Sequence, residues 1–232
     1  MRDSEKIDPR PLNDNTSLIG KPPILRKLIN LVNQDRSSQF NKQQRLIQYA
    51  QDRGDFRPPE PDMKNYAVLF FSVAMPGLVV IPPPRIEIKP LVIPSHRPSG
   101  RAGHSERAVI INAINSAIRQ GWRPTREDGS PLGALPDVAA NVADADLLRF
   151  AYALEKDVTL VLYTERGPCN NRAFEVAEGE RMSCETLLKN LFLNNEKHHV
   201  FHSVDYTPQV TENFIEYLEN LKEAFLLVAE QT

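Results

Sequence analysis

Cysteine is nearly absent from this 232-residue chain, which contains only two. So few exclude a disulfide-dense secreted scaffold, and three uses stay open for the pair: one bridge, free thiols in a core, or metal ligands. Tryptophan occurs once. No apolar run approaches the roughly 18–20 residues a membrane helix needs. The opening MRDSEKIDPRPLNDN lacks the apolar stretch of a secretory signal. These absences predict a soluble chain with no membrane partner, cytoplasmic or exported by a route without a classical signal peptide. An overall excess of one charge is also missing, the formal net charge being -2. Residues 1–96 hold 14 Lys and Arg against 10 Asp and Glu, whereas residues 97–232 hold 14 against 20. A long polynucleotide normally meets a basic face. The C-terminal half has none in its totals, so basic contacts would have to come from the N-terminal half.

Proline is plentiful, with 19 residues concentrated in the first hundred. Residues 1–20 read as a polar, mobile arm. PPILRKLINLVNQ (22–34) carries apolar residues at helical spacing after two prolines, and NKQQRLIQYAQDRG (41–54) reads as a second helix ending at Gly54. FRPPEPDMK (56–64) breaks the chain and divides it into an N-terminal extension, 1–60, and a principal domain, 61–232. YAVLFFSVAM (66–75) predicts a buried strand. The alternation around Ile86 and Ile88 predicts a strand that its flanking prolines confine to an edge. Helices are expected from His104 to about Gln120, over 144–156 with Asp144 as N-cap, over 183–193 after Ser183, and over 211–231 with Thr211 as cap. Strands are expected over 158–164 and 198–206, and 121–138 reads as a turn-rich covering loop. From residue 66 the order is strand, strand, helix, helix, strand, helix, strand, helix, which predicts an α/β sandwich with helices against a mixed sheet.

Both cysteines lie beyond the strongest strand, in VTLVLYTERGPCNNRAFEVAEGERMSCETLLKNL. Cys169 stands at the strand's exit, and Cys184, after 14 intervening residues, at the predicted start of the next helix. A helix N-terminus stabilises a thiolate through its free N–H groups and dipole. His104, in GHSERAVIINAI, stands at the start of its own helix, so all three groups sit at element ends where side chains can converge. One imidazole and two thiolates fill three positions of a tetrahedral Zn²⁺ and leave the fourth for water, whose pKa the metal lowers toward roughly 7. Glu106, two residues after His104, can reach that water as a non-ligand carboxylate and shuttle protons. Hydrolytic deamination of a base requires this arrangement.

At these residues the chain resembles the zinc-dependent nucleobase deaminase superfamily, whose signature is H-x-E followed by P-C-x-x-C. H-S-E stands at 104–106 and P-C at 168–169, but C-x-x-C has become a pair separated by 14 residues. The expanded loop resembles that of bacterial polymorphic-toxin deaminases. The resemblance runs from about residue 66 to 232. It implies a cytidine deaminase-like three-layer sandwich, zinc on His104, Cys169 and Cys184, and Glu106 as the catalytic proton carrier. It implies a nucleobase-containing substrate, with cytosine converted to uracil in single-stranded nucleic acid or in a free nucleotide. A toxin or effector role follows from it, with an inhibitory or delivery protein as partner.

Several further residues are candidates for contacts with substrate or loop. Arg97, Arg101 and Arg107 surround the catalytic loop and could meet a single strand. Trp122 could stack on a base or pack its loop onto the core. Glu165 and Arg166 precede the Gly-Pro-Cys turn, at a strand end that borders the pocket in the resembled fold. Asn112 and Asn115 lie on the catalytic helix, and Ser105 could cap it. In a strand His198 and His202 share one face while His199 points the other way, and the three read as structural or surface residues, with a substrate contact as the alternative. A different class of function stays open: an interaction protein whose zinc only staples the fold. A cysteine-nucleophile enzyme using Cys169 and His104 is a third reading.

Overall fold

The computed structural model describes residues 10–11, 22–53, 63–74, 84–95, 103–170, 182–194 and 196–230. In chain order the elements are β1 (Arg10–Pro11), α1 (Pro23–Asp52), β2 (Tyr66–Ala74), β3 (Arg85–Ile88), β4 (Ile93–Pro94) and α2 (Ser105–Arg119). There follow α3 (Asp144–Leu148), α4 (Ala151–Asp157), β5 (Val158–Arg166), α5 (Cys184–Leu191), β6 (His198–Val204) and α6 (Val210–Glu230). The fold is α/β, with a mixed open sheet flanked by helices.

The sheet order is β1-β6-β5-β2-β3, with β4 also paired to β2. β2 runs antiparallel to β3, β4 and β5, whereas β5 and β6 are parallel. A parallel neighbour requires a crossover, and the stretch carrying both cysteines and α5 supplies it. β3 is an edge strand, as its prolines predicted.

Strand residues alternate between two buried faces. Ala67, Leu69, Phe71 and Val73 of β2, with Leu160 and Leu162 of β5, pack with α2, α4 and α5. Tyr66 and Val68, with Val161 and Tyr163, pack against Leu25, Leu28, Ile29 and Val32 of α1. Full burial of each such aliphatic side chain contributes about 1.5–3 kcal/mol. A third cluster joins Val204 to Phe214, Tyr217, Leu218 and Leu221 of α6.

Helix α1 is one helix of 30 residues rather than the two expected. Its central DRSS stretch is polar but contains no glycine or proline, so continuing the helix costs only tenths of a kcal/mol per residue. Conversely, the helix expected over 144–156 divides into α3 and α4 at Arg149–Phe150. Ser183 caps α5, its Oγ accepting from the Thr186 N–H at 3.2 Å. Asp144 is the first residue of α3 rather than its N-cap, and α6 begins at Val210, one residue before the expected cap. Among the described residues no helix is long and apolar enough to cross a membrane. Apart from Arg10 and Pro11, the arm at 1–20 lies outside the described residues, as do Gly54, Arg97 and Arg101.

Candidate metal centre

Three chain segments meet where β5 ends and α2 and α5 begin. His104 is the N-cap residue of α2, in extended conformation, and its side chain makes no capping bond. The imidazole turns instead to the cysteines, with Nδ1 at 3.2 Å from Cys184 Sγ and 3.4 Å from Cys169 Sγ. Cys184 opens α5, and its backbone N–H donates to Cys169 Sγ at 3.3 Å. The next N–H, of Glu185, donates to the Cys169 carbonyl at 3.0 Å. The α5 N-terminus therefore holds Cys169 by two otherwise orphaned donors. Gly167 makes the turn before it: a Cβ there would lie 3.1 Å from the Tyr206 backbone nitrogen.

The three donor atoms lie within 4.8 Å of one another, and the group could hold a metal ion. A tetrahedral zinc site with ordinary bond lengths has N–S and S–S edges of about 3.5–3.8 Å. The two His–Cys separations are close to that without rearrangement. The chemistry agrees. Hydrogen bonds from Cys184 and His104, working against burial, draw the Cys169 thiol down to about 4. The Cys184 thiol is pushed up by that same shared hydrogen bond and by burial. Burial lowers the His104 pKa, but the Cys169 hydrogen bond and the charges of Glu106 and Cys169 carry it above its ordinary value. Three ligand groups held this close compete for hydrogen bonds, as in a set that a cation would organise.

Glu106 stands beside the centre and is only 3% exposed. Its Oε2 lies 4.0 Å from Cys184 Sγ and accepts from Ser105 Oγ at 3.2 Å. Its Oε1 accepts from Asn65 Nδ2 at 3.1 Å and, more weakly, from Thr164 Oγ1 at 3.4 Å. Burial raises its pKa, opposed by the nearby His104.

Asn65 has no sequence signal that we recognised. Its amide also reaches Ser105 Oγ at 3.0 Å and Thr164 Oγ1 at 2.7 Å, while its carbonyl oxygen accepts from the Arg166 N–H at 2.9 Å. A polar residue just before a buried strand, directly preceding YAVLFF, was the one available hint.

Other candidates have structural occupations. Trp122 is 2% exposed, packed against Phe71 and Phe150, and its Nε1–H donates to Asp157, so no open face remains for a base. Glu165 is fully buried in a two-pronged pair with Arg36 at 2.7 and 2.6 Å and accepts the Tyr66 N–H at 3.1 Å. Arg166 donates to the Met63 carbonyl at 3.1 Å and lies over the Phe214 ring. Arg107 is not available to a nucleic-acid strand: it is 1% exposed and engaged with Asp144 and Met182. Asn115 is buried and holds both the N–H and the carbonyl of Leu135, fastening the covering loop to α2. Ser105 faces Glu106 rather than capping α2. His198 is a core residue, bonded to the Leu154 carbonyl. His202 lies 3.6 Å from Asp205, in the wall of a pocket of about 470 Å³ that also includes Pro168, Asn170, Glu185 and Tyr206. Pro168 and Asn170 flank Cys169 in the chain, and Glu185 follows Cys184. Compared with protein-family models, curated proteins and solved structures, the chain finds no match.

Proposed function

We propose that this chain is a zinc-dependent hydrolytic deaminase with a cytidine deaminase-like fold, converting cytosine to uracil in single-stranded nucleic acid or in a free nucleotide. A toxin or effector role belongs to the same reading. The observation that carries it is the position of Glu106. A structural zinc site is closed by four protein ligands. Here three ligand donors converge, and a buried carboxylate sits just behind them, held by neutral hydrogen-bond donors. The donor set of one imidazole and two thiolates suits zinc in preference to a hard, oxygen-seeking cation.

His104, Cys169 and Cys184 would hold the metal, which when bound supplies Lewis acidity and lowers the pKa of water toward about 7. The remaining work falls to the chain. Deamination takes up one water, places its oxygen on the ring carbon and releases ammonia. Protons must move from the water to the ring nitrogen and to the departing amine. Glu106 Oε2, the oxygen turned toward Cys184, is the atom placed to carry them. Asn65, Ser105 and Thr164 fix that carboxyl group and keep it from swinging into the ligand set. In this reading the base would enter from the pocket lined by the chain neighbours of the cysteines, Pro168, Asn170 and Glu185, and by His202 and Tyr206 at the end of β6.

The test pairs metal analysis with a mass readout on nucleosides, nucleotides and single- and double-stranded polymers. One zinc per chain and a gain of about one mass unit on a cytosine-containing substrate, with ammonia released, are expected. Glu106→Ala should lower turnover by about 10²–10⁴-fold while keeping zinc, and His104→Ala or Cys184→Ala should lose zinc. A zinc-loaded chain that alters no base would establish the alternative, a non-catalytic site in an interaction protein.

A further inference from the structure

The two cysteines are 15 positions apart, and something must return the chain from Cys169 to the N-terminus of α5 in register with His104. The hydrophobic residues of α5, Leu187, Leu188 and Leu191, fix the body of a helix only eight residues long. The first turn bonds to Cys169 through the Cys184 and Glu185 N–H groups, and the chain entering it before Ser183 is held separately. That chain is held at Met182 through both of its backbone hydrogen-bonding groups. The Met182 N–H donates to Asp144 Oδ2 at 2.5 Å, and the Met182 carbonyl accepts from Arg107 Nη2 at 2.8 Å. Arg107 and Asp144 are themselves joined through Nη1 and Oδ1, and both are buried.

We propose that the Arg107–Asp144 pair is a positioning clamp for the metal centre, gripping the Met182 peptide to set Cys184 against His104. Arg107 lies three residues after His104, in the first turn of the helix whose N-cap is His104. A single turn of α2 therefore carries one ligand and the grip on the segment that delivers another. The clamp accounts for how a long insertion between the cysteines is closed. It also gives a reason for a buried ion pair, which as mere core filling is often no better than apolar residues of the same volume. Apolar residues could not hold an N–H and a carbonyl at once.

This inference rests on the three-ligand centre proposed above, and cobalt separates the two. Co²⁺ titrated into the metal-stripped wild-type chain should give d–d bands of tetrahedral intensity and a thiolate-to-cobalt charge-transfer band. In Arg107→Met/Asp144→Leu the pair is replaced by apolar groups, which should keep a cooperative thermal transition, lowered by the two Met182 backbone groups that lose their partners. Cobalt affinity should fall about 10–100-fold, the range seen when groups supporting metal ligands are lost, and the charge-transfer band should weaken. A double variant that binds cobalt like wild type, with an unchanged band, overturns the clamp alone. A wild-type chain that binds no cobalt overturns the centre and the clamp with it. Should the double variant fail to fold, amide exchange on the metal-free wild type decides. The Met182 amide should be protected to the degree of the α5 amides, and exchange at the rate of an open chain overturns the proposal.

Discussion

Thr164 and Glu165 are neighbours in β5 but face opposite sides of the sheet, and each leads to a buried glutamate with a different fate. On the α1 side, Glu165 is bonded twice to Arg36 and once to the Tyr66 N–H. On the α2 side, Thr164 touches Glu106, whose other donors are Asn65 and Ser105, all three neutral. Among the described residues Glu106 makes no ion pair with arginine or lysine. Two carboxyl groups at similar depth are thus treated in contrary ways. The one that serves the fold is matched with a cation. The one beside the His104, Cys169 and Cys184 cluster is left without an arginine or lysine partner, an arrangement that weakens the fold and suits proton transfer. Asn65 and Tyr66 divide the same way, Asn65 bonding to Glu106 and the Tyr66 N–H to Glu165.

The largest effect should come from breaking the matched side. Arg36→Ala strands Glu165 in a fully buried site, and removing one partner of a buried pair costs about 3–5 kcal/mol. Urea unfolding monitored by circular dichroism should show that loss, and Arg36→Met/Glu165→Leu should recover most of it. An Arg36→Ala chain as stable as wild type would mean that the pair does not tie α1 to the sheet, and the contrast between the two sides would lose one half.

The unequal legibility of the two sides has a physical source. Periodicity located β2, β5, β6 and α2, and the ends of α2 and α5 were readable because His104, Ser183 and Cys184 stand beside unmistakable apolar runs. The cysteines could be assigned to a shared site because the chain offers no others. The Arg36–Glu165 pair spans 129 positions and has no local pattern, so Glu165 read as a candidate for a substrate or loop contact and Arg36, between the two expected helices, gave no signal. Arg107 was misplaced for the same reason: whether a charged residue on a helix is buried depends on a partner brought by another element. Asn65 is the clearest omission, since its value lies in four bonds to segments that meet only after the sheet has formed.

His198 sharpens the contrast, because it is buried and compensated as a neutral ring. Nε2–H donates to the Leu154 carbonyl at 3.2 Å and Nδ1 accepts from the Asn194 N–H at 3.4 Å, so neither nitrogen has room for a second proton. Burial brings its pKa down from 6.5 to about 4. In the unfolded chain the ring takes up a proton as the pH falls through its ordinary value, whereas in the folded chain it does not until about 4. The stability this group contributes is therefore complete well above pH 6.5 and lost progressively toward pH 4. Between pH 7.5 and 5 the loss amounts to about 2 kcal/mol. Urea titrations across that range should show the slope, and His198→Gln should lack it. An unchanged slope in that variant would assign the acid sensitivity elsewhere.

The smallest effect has the most informative sign. Glu106→Gln keeps the shape and an oxygen acceptor for the Asn65 amide, and it removes a buried carboxylate that, among the described residues, no arginine or lysine pairs. In the metal-stripped protein the substitution should raise stability by about 1 kcal/mol, in the range of ordinary stabilising replacements, while the proposed turnover of the zinc-loaded chain should fall by about 10²–10⁴-fold. Glu165→Gln, the same chemical change at the same depth, should lower stability instead, because it leaves the Arg36 guanidinium without its counter-charge. Opposite signs for one substitution at two buried sites would separate a carboxylate kept for chemistry from one kept for architecture. If Glu106→Gln destabilised the chain as Glu165→Gln does, Glu106 would be a matched structural group, and the case for its moving protons would fall with that result.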